Sequence, residues 1–213
     1  MEAAEIITAL GALIGAIGGV YSIWTKYNQT AKDKKTEFEI EQLKRDMHYK
    51  NERRMDNVMI IAGRLSNLLD DMDAARVYVV QPHPLRRGEF LSIQFEQKQG
   101  WASSMKDVVK RLRIEDVPRF SEFMAKNIFA DITNVDEQVN DRFAQSIFHK
   151  GGTQRCFIKR LSDQRHDWVG SIFVEYTRPT EITSEAAREM LHQCSTDIQY
   201  ILPEIVEEDE IGK

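Results

Sequence analysis

Residues Ile6 to Trp24 run for nineteen positions without a charged side chain and end against Lys26 and a highly charged segment. A helix of that length is about 28 Å long at 1.5 Å per residue, close to the hydrocarbon thickness of a bilayer. The run predicts a membrane anchor over 1–26. The tail before it, Met-Glu-Ala-Ala-Glu, lacks the basic region of a signal peptide, and no small-x-small cleavage site follows. Tyr21 and Trp24 suit the interfacial layer just before Lys26. Gly11, Gly15 and Gly19 recur at every fourth position with Ala12 and Ala16 beside them. Such a face lets helix backbones approach closely within membrane lipid, which predicts a homo-oligomer.

From Thr30 to Met72 the chain is charged, free of proline and contains a single glycine, Gly63. This predicts helix. Over 27–57 it is mostly polar, with Phe38, Ile40, Leu43 and Met47 as a thin apolar seam, which suits a helical stalk. Val58, Ile61, Leu65, Leu68 and Met72 then follow at spacings of three and four. This stripe fits a coiled-coil seam or a docking face. Docking is preferred because fewer than three clean heptads are present and Met59, Ile60 and Leu69 broaden the face. A soluble domain over 58–203 and an acidic tail over 204–213 complete the chain. The net charge of -5 and the mixed signs argue against a nucleic-acid partner.

Beyond Asp73 short apolar runs replace the helical period. Arg76 to Val80 and Phe90 to Phe95 read as a strand pair joined by the turn-rich segment Pro82 to Gly88. Met105 to Leu112 and Pro118 to Lys126 read as helices, the second with Asp116 as candidate cap and Pro118 in its first turn. Ile128 to Val135 fits a short strand. Asp136 to Phe148 fits one helix, with Val139, Phe143 and Ile147 on one face and Gly151-Gly152 past its end. Arg155 to Leu161 and Val169 to Tyr176 alternate as strands around the loop Ser162 to Asp167. Thr183 or Ser184 then caps a last helix whose shared face is Ala187, Met190, Leu191, Cys194, Ile198 and Ile201. The fold class is α+β, an antiparallel sheet covered by the first and last helices.

Few residues point to catalysis. The histidines His48, His83, His149, His166 and His192 are scattered without metal-site spacing, so no metal or cofactor is expected. No nucleophile elbow, P-loop or dinucleotide fingerprint occurs. Arg86 and Arg87 offer a cationic pair, but their place in a hairpin connection suits a solvated turn, as Asp70 and Asp71 suit exposed helix. Cys156 and Cys194 allow one disulfide or none. The residues therefore predict a protein that is not an enzyme.

The order helix, hairpin, helices, hairpin, helix resembles a GAF domain, and the run Val169-Gly170-Ser171-Ile172-Phe173-Val174 before a proline turn and a capped helix is similar to the way GAF domains end. With the N-terminal apolar run and the placement of Cys156 and Cys194, the whole plan resembles holins of the T-even phage type. That resemblance implies host lysis: self-association in the inner membrane, lesions that release an endolysin, a periplasmic domain restrained by an antiholin, and oxidation of Cys156 with Cys194.

Charge opposes that orientation. Only five residues precede Ile6, two of them Glu, whereas Lys26, Lys32, Lys34 and Lys35 follow the run. The positive-inside rule then keeps the domain in the cytoplasm. The alternative expectation is a membrane-tethered cytoplasmic GAF-like sensor or scaffold that binds a small ligand or a protein partner.

Overall fold

A computed structural model describes residues 40–42, 44, 53–83, 89–109 and 111–203. The chain divides into two compact units, Met1–Arg53 and Arg54–Lys213. In the first unit, the described residues 40–42 and 44 are helical. The anchor expected at Ile6–Trp24, its face of Gly11, Ala12, Gly15, Ala16 and Gly19, most of the stalk, Arg86, Arg87 and the acidic tail lie outside the described residues. Among the described residues no helix is long and apolar enough to cross a membrane.

The second unit begins with helix α1, which runs over 54–71 within it. Then come β1 (Arg76–His83), β2 (Phe90–Lys98), β3 (Leu112–Arg113), a 3-10 turn (Ile114–Asp116), α2 (Pro118–Lys126) and β4 (Phe129–Ile132). These are followed by α3 (Val135–Gln138), α4 (Arg142–Gly151), β5 (Arg155–Ser162), β6 (Trp168–Tyr176) and α5 (Ser184–Ile198). The strands form one antiparallel sheet in the order β3-β2-β1-β6-β5-β4.

Alternation along the strands separates two apolar cores, because successive side chains point to opposite faces of a sheet. On one face Val77, Val79, Phe157, Ile172 and Val174 meet α1 and α5. Ile61, Leu65, Leu68 and Met72 of α1 are buried there, with Val58 half-buried, so the stripe docks on its own domain. Leu69 joins this face, whereas Met59 and Ile60 are exposed. On the other face Tyr78, Val80, Ile158 and Phe173 meet α2 and α4.

Three local differences from the sequence reading have physical causes. A bulge in β2 pairs Val79 with Phe95 but Val80 with Ile93, skipping Gln94. Leu91 and Ile93 therefore share the α2–α4 face while Phe95 packs on the α1–α5 side, against simple alternation. The helix expected at Met105–Leu112 is a single turn, in which Val108 and Val109 donate to the Met105 carbonyl at 2.9 Å. Glu96 fixes its start by accepting the Met105 N–H at 2.6 Å, and its end must return to pair Leu112 with Leu91. The helix expected at Asp136–Phe148 is broken between α3 and α4. Val139 turns inward there, and Asp141 accepts the Phe120 N–H at 2.6 Å, capping α2 in place of Asp116. The buried face of α4 is consequently Ala144 and Phe148, and Phe143 is 51% exposed.

Cys156 and Cys194 are both free and buried, and they belong to opposite faces of the sheet. The disulfide implied by the holin resemblance is therefore not formed, since no side-chain rotation brings the two sulfurs across the sheet. Burial pushes the Cys194 thiol up to about 12. Burial, then the charge of Glu175, raises the Cys156 thiol well above its ordinary value.

The deepest polar cluster lies at the β1–β6 pairing. Arg76 and Glu175 are directly opposed and fully buried, and the Arg76 Nε donates to Glu175 Oε2 at 2.5 Å. The rest of the guanidinium donates to the Ser103 carbonyl at 2.9 Å and to the Gly151 carbonyl at 2.5 Å, at the C-terminus of α4. A cation there also meets the negative end of the helix dipole. Thr153 donates to Glu175 Oε2 at 3.0 Å, and the Tyr78 hydroxyl donates to Oε1. Tyr78 is held protonated well above the usual tyrosine range, by burial first and by Glu175 second. Gly151 leaves room for this contact: a Cβ would lie 2.8 Å from an Arg76 nitrogen and 2.9 Å from the Met105 sulfur, so both side chains would have to shift.

Replacing Glu175 by Gln leaves Arg76 charged and buried without its counter-ion, an expected loss of about 3–5 kcal/mol in urea unfolding. Adding Arg76→Met to that variant should cost far less than the sum of the two single losses, because both act in one network. Additive losses would show that the groups act independently. A second expectation concerns alkali. The unfolded thiols ionise near about pH 9 while the folded ones keep their protons, so stability is full below that pH and falls as pH rises through the folded values. Cys194→Ala should flatten the fall between about pH 9 and about pH 12, and an unchanged slope would contradict the raised thiol.

Candidate functional site

The space between the sheet and α2 and α4 is built from large apolar side chains at strand positions two apart. Tyr78 stacks on Phe173 with ring centroids 5.0 Å apart, and Phe120 meets Phe148 edge-on at 5.5 Å. Phe173 also lies 6.3 Å from Phe120 and 6.5 Å from Phe148, so the three phenylalanines close the layer. The cavity left among them, with Val80, Leu91 and Met124 on its wall, is about 30 Å³. Its wall is almost wholly apolar, and the space is far smaller than a small-molecule pocket.

Two larger spaces lie elsewhere on the domain. One cleft of about 570 Å³ lies beside the end of α1 and is lined by Asp71, Asp73, Gln99, Trp101, Arg178 and Thr180. The Arg178 guanidinium covers the Trp101 ring at 4.3 Å, occupying the aromatic surface. The other is a groove of about 900 Å³ between the β4–β5 edge and the first turns of α5. Lys159, Arg188, Glu185, Glu189 and His192 line it, with Ile128 and Phe129 as its apolar part.

The sequence candidates are dispersed. Val58, Ile61, Leu65, Leu68 and Met72 belong to packing, and Asp70 and Asp71 are exposed. His83 contacts Ser92 at 2.8 Å and His149 contacts Asp136 at 2.7 Å, on different parts of the domain. Among the described residues no group of three or more histidine, cysteine, aspartate or glutamate side chains is placed to hold a metal ion. Both thiols are protonated at neutral pH, which removes them as nucleophiles. Arg76, Glu175, Lys159 and Arg188 were not singled out from sequence. The available signal was a charged residue in phase with buried ones, as in Arg76-x-Tyr78-x-Val80 and Phe173-x-Glu175.

No protein-family model matches the chain, and no curated protein matches it. Among solved structures the chain is similar to the phycoerythrobilin-bound GAF domain of a cyanobacterial phytochrome, at 13% identity over 73% of this chain and 91% of that one, with a TM-score of 0.55. It is similar to a GAF domain from Synechocystis in its photoproduct state, at 10% identity over 67% and 90% of the two chains, with a TM-score of 0.56. A far-red cyanobacteriochrome photoreceptor matches at 12% identity over 76% and 97%, with a TM-score of 0.55. These matches correct the holin resemblance. It rested on an element order that is the order of a GAF domain, and on two cysteines that the sheet keeps apart. Phage lysis, assembly into membrane lesions and restraint by an antiholin accordingly find no support. The described domain has the GAF fold.

Proposed function

We propose that this chain is a GAF-type regulatory module of the scaffold kind, which acts by association through α1 and performs no reaction of its own. The observation that carries this reading is the exposure of Met55, Met59 and Ile60 at 64%, 70% and 47%, on the first turns of a helix whose later turns are buried in the domain. Large apolar side chains clustered in solvent mark an interaction surface more often than scattered single ones do. Methionine suits such a surface because its flexible thioether adapts to a partner. The partner proposed is a second copy of the chain.

A bilin, carried by the phytochrome GAF domain to which this chain is similar, does not fit here. Small-molecule pockets span about 300–1,000 Å³. The space on the α2–α4 face is an order of magnitude smaller, and Phe120, Phe148 and Phe173 fill the layer around it. Opening it would expose the aromatic layer that joins the sheet to its helices.

Sedimentation equilibrium of the full chain in mild detergent should give a dimer. The double substitution Met55→Glu with Met59→Glu should give a folded monomer that loses only the stabilisation due to association, since neither side chain packs in the core. An unchanged mass would overturn the association surface. Phycoerythrobilin added to the purified chain should produce no new visible absorption band and no shift in Tm. A stoichiometric coloured complex would refute the filled aromatic layer.

A further inference from the structure

We propose that the groove between β5 and α5 is a binding site for a small phosphate monoester, with Lys159 and Arg188 gripping the phosphate. The site lies on the α5 side of the sheet, away from the exposed methionines of α1 and from the aromatic face.

Lys159 is an unusual residue for its place. It pairs across the sheet with Phe129 on one side and Ile172 on the other, so its stem stands in the α1–α5 core layer, and the residue is only 8% exposed. Its ammonium reaches the groove, where Arg188 of α5 is the neighbouring charge. Among the described residues neither cation has a carboxylate within ion-pair distance, although carboxylates take up Arg64, Arg76 and Arg155 elsewhere in the domain and Lys126 at the groove itself. Burial, and then the charge of Arg188, lowers the Lys159 pKa. Two like charges held together, one of them partly desolvated, cost free energy that a bound anion returns.

The geometry narrows the anion. Arg188 lies over the Phe129 ring at 5.0 Å, a cation–π contact that keeps its guanidinium at the groove. A planar fork of donors beside a point charge matches the oxygens of a phosphate group. The groove, about 900 Å³, accepts a small molecule with room beyond the phosphate. Glu185 and Glu189 on its α5 wall accept hydrogen bonds from hydroxyl groups but repel further negative charge. A nucleic-acid backbone or polyphosphate is thereby disfavoured against a singly phosphorylated, hydroxyl-bearing compound, and the chain's net charge of -5 acts in the same direction.

The test is calorimetric titration of the full chain with inorganic phosphate and with glycerol 3-phosphate. Saturable binding is expected, tighter for the ester, and weakened by about tenfold or more in both Lys159→Met and Arg188→Gln. Lys126→Gln, at the same groove but paired with Glu122, should bind as the parent does. Lys159→Met keeps the apolar stem, and Arg188→Gln changes an exposed position, so a folding failure in one leaves the other decisive. Absence of saturable binding would overturn the proposal. So would equal weakening in all three variants, which would indicate only general attraction of anions to a basic surface.

Discussion

The Arg76–Glu175 pair holds the middle of this domain. An ion pair taken fully out of water loses several kcal/mol of hydration per ion and persists only when its remaining donors and acceptors are met. Here they are met by four separate parts of the chain. Ser103 comes from the loop after β2, Gly151 from the end of α4, Thr153 from the link to β5, and Tyr78 from β1 itself. Satisfying this one buried ion pair thus ties together a loop, a helix terminus and two central strands. The cluster also sets the chemistry nearby, since Glu175 helps keep Tyr78 and Cys156 protonated. A polar network of this kind specifies arrangement more than it adds stability, because apolar packing of equal volume would cost less to bury.

Much of the layering was legible because it depends on periodicity. The three-four spacing of Ile61, Leu65, Leu68 and Met72 marked a docking face, and the alternation in 155–161 and 169–176 marked the last hairpin, whose strands extend only slightly further. Thr183 caps α5 by accepting the Ala186 N–H, a purely local interaction. Misreadings occurred where a distant residue decided the local outcome. Glu96 pins the start of the 105–109 turn, Asp141 caps α2 from twenty-one residues away, and Val139 leaves its helical phase to fill the core. No local pattern carries such information.

The site was less legible than the fold for a related reason. Arg76 and Glu175 are ninety-nine positions apart and become neighbours only through β1–β6 pairing. Lys159 looks like an ordinary outward lysine until the sheet order places β5 inside β4, which turns its stem into the core beneath α5. The cysteines show the converse. Their placement in a strand and in the helix above the sheet suggests proximity, yet Cys156 is on the far face of that strand. A one-residue difference in strand phase separates a possible disulfide from two isolated thiols.

The two faces of the sheet divide the work that a GAF fold can do. The α2–α4 face is finished by aromatic contacts among Tyr78, Phe120, Phe148 and Phe173, and a ligand entering it must displace rings that also bind helices to strands. The opposite face has its core equally filled but has an unfinished margin, where a buried stem ends in an ammonium beside a second cation. Recognition at that margin needs no rearrangement of the core, so it avoids the ordering and opening costs that weaken binding to closed pockets. Because α1 and α5 lie on the same face and are joined by Arg64 and Asp197 at 3.0 Å, an anion held by Arg188 would act on a helix already coupled to the proposed association helix. Any regulation of association by ligand in this chain therefore has its shortest physical route through the α1–α5 layer.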